Sequence, residues 1–552
     1  MLRMKVCFIF EVCASYEYLW YKSPTSCSCQ PLEFIKKQMK NNHFNLVHQH
    51  LGLILFIIAF IIALFTYENY GMSWDEPMQK RTGEINYDYI FSNDNSLLTW
   101  KDRDYGVAFE VPLIIIEKAL NLNDSRDIFT MRHLVTHCFF LISCYFLFLL
   151  IDYLYKNKLL ATVGFLFLLL HPRIYAHSFF NSKDIPFLSM LIICLYYSVK
   201  AFDKKSTLRF IGLGMCVGVL INLRIMGVLI LLSSLLILVI DLIKTKEKKT
   251  NIKLIAIFLI STCLTLYVTW PFLWGDPFKN FVFTFQNMAR FRWDSTVLFN
   301  GEEIKATKLD WKYIPTWFSI TTPVIYLLLG FTGFLLLIFR FIKHPKEFID
   351  NSIKRTNLIF LGYFLAPLIA VIVFQSVLYD GWRQMYFIYP PFILLCIYSV
   401  YYLINKSKRI STLTLVCIFG TFILTLTSMI RVFPLQNVYF NELFYASSPE
   451  YLRKNFEMDY WGVSYKQSLE YILKVDSSPS IDVSVENLPG QINVNMLTYE
   501  ERTRINIVPK DSATYFITNY RWHPQDYNEY KNFKFHSLSV GENTVSQIFK
   551  FK

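Results

Sequence analysis

Two adjacent carboxylates, Asp75 and Glu76, are the residues of this 552-residue chain best placed for acid–base chemistry. They follow an apolar run at 51–67 that is long enough to cross most of a bilayer. Because Pro77 suits the first turn of a helix, both acids are expected at a helix N-terminus, where negative charge is favoured. Acids at a membrane boundary are costly without a partner or a function. The pattern therefore indicates either a solvated helix cap or a pair of catalytic carboxylates.

A second polar cluster occupies the loop 171–186, between two apolar runs. Arg173 and Lys183 there could hold a phosphate, and an arginine can do so with two parallel hydrogen bonds. Asp184 precedes Pro186 at the start of the next apolar run and supplies a further carboxylate. The alternative is that Arg173 and Lys183 anchor the helix ends at the membrane interface by snorkelling, which explains the polarity of this loop less well.

Two isolated arginines lie in tight turns between apolar runs. Arg224 occurs in Ile-Asn-Leu-Arg-Ile-Met-Gly, and Arg383 occurs in Tyr-Asp-Gly-Trp-Arg-Gln-Met-Tyr. An arginine at this depth needs an anion or an acid as its partner. Each is therefore predicted either to form an internal salt bridge or to clamp the phosphate of a lipid-linked substrate.

Metal and nucleotide sites have weaker signals. His133 and His137 share one helical face but lack an evident third ligand, and Asp102 and Asp104 have a spacing that is common by chance. A divalent metal is thus possible, but no metal ligand and no cofactor is assigned. No P-loop is present, which argues against an ATP-driven pump.

Composition identifies a polytopic membrane protein. Hydrophobic residues make up 54% of the chain and charged residues only 18%, against about a quarter charged in soluble domains. The net charge of +13 then marks cytoplasmic loops and does not indicate nucleic-acid binding. Eleven apolar runs are predicted to span the membrane, at about 49–67, 133–154, 159–171, 185–202, 207–221, 225–243, 252–273, 319–342, 357–378, 385–404 and 410–430.

Lysine and arginine are concentrated in alternate loops, which predicts the orientation of the chain. Residues 1–47 form a cytoplasmic N-terminal segment of uncertain status, and residues 48–430 form the transmembrane domain. Outer loops at 68–132 and 274–318, together with residues 431–552, face outward. The predicted fold class is a mainly α polytopic membrane protein with about 11 transmembrane helices and a small C-terminal extracytoplasmic α/β domain.

Alternating apolar and polar residues in the C-terminal region predict its secondary structure. A helix is expected at 464–474, followed by four short strands at 481–485, 504–508, 515–520 and 544–551.

The acid pair after the first span, the acid before proline that opens the fourth span, and the external C-terminal domain together resemble GT-C glycosyltransferases. More narrowly, the chain resembles the bacterial glycosyltransferase 39 group, the protein mannosyltransferase-like (PMT/ArnT-type) family. The resemblance covers roughly residues 48–470, and the segments that carry it are 173–187, 313–323, 378–391 and 459–467.

This resemblance implies an inverting enzyme of the cell inner (plasma) membrane whose active site faces the periplasm or exterior. Its donor would be a polyprenyl-phosphate-linked sugar, and its acceptor a protein hydroxyl, a lipid or a polysaccharide. The family's catalytic acid corresponds to Asp75 and its second acid site to Asp184, with Glu76 included in the catalytic set. The expected partners are the donor, the acceptor and membrane lipids.

The phosphate-site candidates are placed by topology and not by a family motif. They are Arg173, Lys183, Arg224 and Arg383. The Trp-Trp-Asp-Tyr-Gly signature of oligosaccharyltransferases and the MIR domain of eukaryotic protein mannosyltransferases are both absent, which leaves the acceptor open.

Two other functions compete with glycosyl transfer. A transporter or flippase for a lipid-linked sugar would place ionisable residues near mid-span on several helices. In this sequence such residues cluster at one membrane face, which favours chemistry at that surface. A catalytically inactive scaffold is the third alternative.

The predicted orientation can be tested with reporter fusions. A fusion at Lys474 should be active only outside the cytoplasm, and a fusion at Lys248 should show the opposite behaviour, because these residues lie on opposite sides of the predicted topology. Signals from the same compartment at both positions would contradict the span assignment.

Overall fold

The computed structural model describes residues 50–244, 248–289, 293–350, 352–445 and 448–552. The predicted N-terminal segment 1–47 lies outside this part of the chain. The protein is mainly helical, with a small sheet near its C-terminus, as the sequence predicts.

Within the described ranges, seventeen helices precede the C-terminal region, apart from short 3-10 turns. They are α1 (His50–Asn69), α2 (Glu76–Phe91), α3 (Glu110–Ala119), α4 (Ser125–Tyr155), α5 (Lys158–Leu169), α6 (Pro172–Phe180), α7 (Asp184–Asp203), α8 (Thr207–Leu223), α9 (Val228–Lys244), α10 (Lys248–Thr269), α11 (Pro277–Ala289), α12 (Tyr313–Thr321), α13 (Val324–Lys343), α14 (Pro345–Asp350), α15 (Ser352–Val373), α16 (Tyr389–Ile404) and α17 (Lys408–Arg431).

Length and composition identify nine helices in the described ranges that could each cross a membrane. The number becomes ten if α5 and α6, which are bent by 64° relative to each other, form one broken span. The helix α8 is apolar but shorter. Every apolar run predicted from the sequence overlaps a helix over most of its length, so the positions of the apolar helices are confirmed, whereas the number of eleven spans stays a prediction.

Local sequence explains why several helices begin where they do. Pro77 lies in the first turn of α2, and α7 opens at Asp184 just before Pro186. A proline is tolerated in the first turn because the backbone N–H that it lacks would have no helical partner there. Asp184 is also positioned by its own backbone N–H, which donates to Asn181 Oδ1 at 2.8 Å. These two helix starts bring carboxylates to the same end of the helix bundle.

The break between α5 and α6 has a similar local cause. His171 precedes Pro172, and the His171 ring accepts a hydrogen bond from the backbone N–H of Ile174. Every residue of α6 is buried, including Arg173 and His177. The helix α6 is therefore an internal element, and its polar side chains must find partners inside the protein.

The C-terminal region contains a five-stranded sheet in the order β4-β3-β5-β7-β6. The strand β3 runs parallel to β4 and β5, and β7 runs antiparallel to β5 and β6. A separate hairpin, β1–β2, precedes α12. The strands are β1 (Thr296–Phe299), β2 (Glu302–Lys305), β3 (Ile481–Val485), β4 (Ile505–Ile507), β5 (Tyr515–Thr518), β6 (Lys534–Val540) and β7 (Asn543–Lys550), and the short helices are α18 (Glu442–Tyr445), α19 (Tyr451–Asn455), α20 (Tyr465–Val475), α21 (Leu488–Ile492) and α22 (Tyr499–Arg504).

One apolar cluster holds α20 against the sheet. Leu469 and Ile472 of α20 are buried against Val483, Ile517 and Ile548 of three strands. The predicted helix and its four predicted strands are confirmed. The strand β6 was not predicted because it lies at the sheet edge, where most of its side chains stay exposed and no apolar alternation is required.

The turn between α19 and α20 is fixed by one carboxylate. Asp459 accepts hydrogen bonds from the backbone N–H groups of Val463 and Ser464, at 3.2 and 2.9 Å. Gly462 has φ +68°, and a Cβ at this position would lie 2.3 Å from Cβ of Pro489. Only glycine fits there without displacing backbone or proline. This turn fixes the position of Trp461, which faces the candidate site described next.

Candidate active site

The two acids that open α2 have different environments. Glu76 is buried, and its Oε2 accepts from the backbone N–H of Ser73 at 2.6 Å, while its Oε1 is hydrogen-bonded to Nε2 of His133 at 2.9 Å. The Asp75 side chain is 34% exposed, and its one ion-pair partner in the described part of the chain is Arg383, at 3.6 Å. Asp75 is therefore the acid of this pair that a substrate could reach.

The contacts of Glu76 are those of an anchor. They close the turn before α2 and attach it to α4, which carries His133. The catalytic role predicted for Glu76 stays a prediction. The occupation of both carboxylate oxygens supports a structural role, and its burial differs from the solvated helix cap weighed for this pair.

Asp184 brings together two of the arginines predicted from tight turns. Its Oδ1 pairs with Nη2 of Arg224, and its Oδ2 pairs with Nη1 of Arg383 at 3.1 Å. Asn181 also donates to Oδ2, at 3.0 Å. With both oxygens engaged and only 2% of the side chain exposed, Asp184 holds the arginines in place and leaves no oxygen open to a substrate. Both arginines thus form internal salt bridges, and the phosphate-binding role predicted for them stays a prediction.

Arg383 forms ion pairs with three carboxylates, more than any other predicted site residue. These residues, with Arg224, are called the ion-pair group below. Its Nε and Nη2 donate to Oδ2 of Asp380, at 3.2 and 2.9 Å, in addition to the pairs with Asp184 and Asp75. Its guanidinium lies 4.5 Å from the ring centroid of Trp461. Every nitrogen of this buried guanidinium thus has a carboxylate partner, although Nη1 and Nη2 each carry a second N–H beyond the hydrogen bonds named here.

Lys183 and Arg224 lie next to Asp184 and are only partly neutralised by acids. The ammonium of Lys183 lies 3.6 Å from the ring centroid of Tyr105, and the residues that the structure describes provide no ion pair for it. Burial, followed by the nearby charge of Arg224, lowers the pKa of Lys183 to about 7. The Arg224 side chain is 21% exposed, and its buried Nε has no hydrogen-bond partner among the described residues. An anion placed here would be stabilised by both side chains.

Arg173 belongs to a different environment. Its Nε donates to the carbonyl of Tyr439 at 2.8 Å, and its guanidinium lies 4.8 and 5.2 Å from the ring centroids of Phe440 and Trp317. In the described part of the chain, Arg173 forms no hydrogen bond or ion pair with Asp75 or Asp184. The phosphate-binding role predicted for Arg173 therefore stays a prediction, and Arg173 lies outside the ion-pair group that contains Asp75, Asp184 and Arg224.

Three residues that the sequence analysis did not select complete the group. Asp380 Oδ1 accepts from Nη2 of Arg521 at 2.8 Å, and Oδ2 accepts from the indole N–H of Trp461 at 3.1 Å. Burial alone would raise the pKa of Asp380, but Arg521 and Arg383 together lower it. Asp380 lies three residues before Arg383, a local signal that could have identified it, whereas Arg521 is 141 residues away in sequence.

Glu457 lies next to Arg521 but forms only a long contact with it. Its Oε1 is 3.8 Å from Nη2 of Arg521, and its Oε2 has no hydrogen-bond partner among the described residues. Burial raises the pKa of Glu457 to about 8 against the opposing charge of Arg521. The C-terminal region thus contributes Arg521, Trp461 and Glu457 to the surroundings of Arg383.

The histidines and acids weighed as metal ligands have other partners. His133 binds Glu76, and Nδ1 of His137 is hydrogen-bonded to Oγ of Ser178 at 2.7 Å. Asp104 accepts from the side-chain amide of Asn287 at 3.1 Å. Within the described ranges, no three side chains of His, Cys, Asp or Glu are grouped as metal ligands.

Three solved structures of two proteins align with most of this chain. ArnT from Cupriavidus metallidurans in the apo state aligns with a TM-score of 0.44 and 10% identity, over 90% of this chain and 97% of ArnT. The same protein bound to undecaprenyl phosphate gives a TM-score of 0.43 and 11% identity, over 90% and 98% of the two chains. The apo oligosaccharyltransferase of Archaeoglobus fulgidus gives 0.43 and 12%, over 84% of this chain, which spans 65% of that enzyme.

Sequence comparison gives one match. No curated protein sequence matches the chain. A family model described as dolichyl-phosphate-mannose-protein mannosyltransferase matches residues 116–268, a range that includes Lys183, Asp184 and Arg224. This match confirms, over that range, the similarity to protein mannosyltransferases that the sequence motifs indicate.

Proposed function

We propose that this protein is an integral membrane glycosyltransferase that uses a polyprenyl-phosphate-linked sugar. One observation carries the proposal: the accessible carboxylate of Asp75 is joined to Arg224 through Arg383 and Asp184, and Lys183 directly precedes Asp184. Lys183 and Arg224 are incompletely neutralised cations. A base next to an anion-binding pair is what sugar transfer from a lipid phosphate requires. The family match at 116–268 supports this class of donor.

In the proposed reaction, Asp75 acts as general base. It accepts the proton of an acceptor hydroxyl while that oxygen bonds to the anomeric carbon of the sugar. The bond from the anomeric carbon to the donor phosphate breaks, and polyprenyl phosphate leaves with the bonding electron pair. Attack on the face opposite the phosphate inverts the anomeric configuration. The pair with Arg383 keeps the Asp75 carboxylate oriented for proton transfer.

Lys183 and Arg224 act on the leaving group. As the donor phosphate departs it gains negative charge, and fixed cations near its oxygens stabilise that charge more in the transition state than in the ground state. Asp184 is a positioning residue here, because it binds Arg224 and Arg383 with its two oxygens. The donor supplies its own phosphate leaving group, so this chemistry needs no nucleotide pocket.

The acceptor is expected to bind outside the membrane. We place the reaction on the extracytoplasmic face, since the charge of the loops puts Asp75 and residues 431–552 there. The acceptor is a hydroxyl of a protein, a lipid or a polysaccharide. The sheet region lies next to the site through Arg521 and Trp461, and we assign acceptor contact to it.

Replacing Asp75 tests the general base. Asp75→Asn keeps the shape of the side chain but removes the proton acceptor, so steady-state glycosyl transfer should fall by about two orders of magnitude or more. Glu68→Gln is the matched control, because Glu68 is another acid of the same outer segment and its contacts with Arg126 and with the hydroxyl of Tyr67 are exposed. Near-normal turnover by folded Asp75→Asn protein would contradict the assignment.

The lowered pKa of Lys183 predicts a pH dependence of donor binding. Protonated Lys183 attracts the phosphate, and bound phosphate in turn favours the protonated form, so affinity should fall as pH rises above the free-protein value of about 7. Binding should be roughly tenfold weaker at about pH 8 than at about pH 6. Farnesyl methyl phosphate is a suitable probe, since this diester keeps one charge throughout the range.

Lys183→Arg provides the control for this profile. Arginine stays protonated over the whole range, so the variant should bind the diester with an affinity that does not change with pH. A flat profile in the unmodified protein, or a slope that persists in Lys183→Arg, would exclude Lys183 as the titrating phosphate ligand.

A further inference from the structure

A cavity of about 360 Å³ lies between helices at the membrane end opposite the candidate active site. The helix α7 connects the two places: Asp184 at its start belongs to the active-site group, and Asp203 at its end lines the cavity. A helix of 20 residues is about 30 Å long at 1.5 Å per residue, which is close to the thickness of a bilayer core. The cavity is therefore separate from the proposed chemistry.

Its lining combines cations with an apolar wall. Side chains from α4, α7, α9 and α15 contribute, and the volume lies within the range of about 300–1,000 Å³ typical of ligand pockets. The cations are Lys156, Lys204 and Arg355, and the apolar wall includes Leu195, Phe202 and Phe360.

Positive charge exceeds negative charge in this lining. Asp203 is the one acid among the lining residues, and its Oδ2 accepts a hydrogen bond from the hydroxyl of Tyr153. The ammonium of Lys156 lies 4.3 Å from the ring centroid of Tyr153. In the described part of the chain neither Lys156 nor Lys204 forms an ion pair with an acid. The cavity is thus suited to an anion.

A buried hydroxyl adds a hydrogen-bonding group. Oγ of Ser198 lines the cavity, is buried, and has no hydrogen-bond partner among the described residues. Buried hydroxyl groups usually have a partner, so an occupant with phosphate or ester oxygens would satisfy it.

We propose that this cavity binds an anionic phospholipid, with its phosphate against Lys156 and Lys204 and its acyl chains along the apolar wall. Because the cavity lies between membrane-spanning helices, a lipid can enter it from the bilayer. The apolar wall has no polar groups that could bind a small soluble anion. The charge of the loops places this end at the cytoplasmic face, where anionic lipids accumulate and basic pockets between helices bind their headgroups. This inference does not depend on the proposed glycosyl transfer.

Native mass spectrometry of the delipidated full chain in detergent tests the proposal. Phosphatidylglycerol and phosphatidylcholine with identical acyl chains are offered in equal amounts, and phosphatidylglycerol should be retained about tenfold more. The double substitution Lys156→Gln with Lys204→Gln should remove most of this preference. The matched control is Lys408→Gln with Arg409→Gln, which removes two cations from the start of α17, outside the cavity lining.

A second variant covers the case in which the double substitution does not fold. Ser234→Leu reduces the cavity volume without changing its charge, since Ser234 is a buried lining residue. It should lower retention of phosphatidylglycerol severalfold. Equal retention of the two lipids by the unmodified protein would overturn the proposal, as would an unchanged preference in both folded variants or an equal loss in the control.

Two further arms separate the other sources of phosphate. An excess of glycerol 3-phosphate should leave phosphatidylglycerol bound, and displacement would mean that the cavity takes a soluble phosphate. Undecaprenyl phosphate should bind equally well to the unmodified protein and to the Lys156→Gln/Lys204→Gln variant. Loss of undecaprenyl phosphate in that variant would assign the cavity to the polyprenyl carrier and overturn the phospholipid assignment.

Discussion

The buried guanidinium of Arg383 connects the parts of the protein that form the candidate active site. Three carboxylates contact it: Asp184 at the start of α7, Asp380 in the turn before α16, and Asp75 at the start of α2. A buried charge is costly unless it is paired and hydrogen-bonded, and here every nitrogen has an acidic partner. Since breaking such a pair leaves uncompensated buried charges, the three chain segments are held together as a unit.

The same ion-pair group extends into the C-terminal region. Asp380 binds Arg383 with one oxygen and Arg521 with the other, and Arg521 lies shortly after the end of strand β5 at Thr518. Trp461 packs over Arg383 and donates to Asp380. The sheet is therefore attached to the membrane helices through charged groups next to the proposed site of chemistry, and not only through apolar packing.

The hydrogen bonds and ion pairs of the acids near the site indicate different functions for them. Asp184 and Asp380 use their oxygens to fix arginines, and Glu76 uses its oxygens to fix the start of α2. Asp75 makes one long contact with Arg383 and stays partly exposed. The proposed base is therefore distinguished by what its neighbours leave open, since sequence position alone does not separate Asp75 from Glu76.

Local sequence patterns predicted the helices that carry the site residues, but they did not predict which side chains contact each other. Apolar runs and prolines identified the starts of α2 and α7, and isolated charge in a turn identified Arg224 and Arg383. The different environments of Asp75 and Glu76 depend on His133, which lies 57 residues after Glu76 in the sequence. The ion pair between Asp380 and Arg521 joins residues that are 141 positions apart. Arg173 lies in the same predicted loop as Lys183, but in the structure it belongs to α6 and packs against Phe440 and Trp317. Contacts of that kind are set by tertiary packing, which local periodicity does not encode.

The central claim, that this chain transfers a sugar from a polyprenyl phosphate, is tested most directly by following both products of the reaction. Purified protein in liposomes would receive a mixture of polyprenyl-phosphate sugars and a hydroxyl acceptor from the same cell envelope. The account predicts that free polyprenyl phosphate and glycosylated acceptor form in equal amounts, with inverted anomeric configuration. Movement of an intact lipid-linked sugar across the bilayer, without release of polyprenyl phosphate, would contradict it and establish a transporter instead.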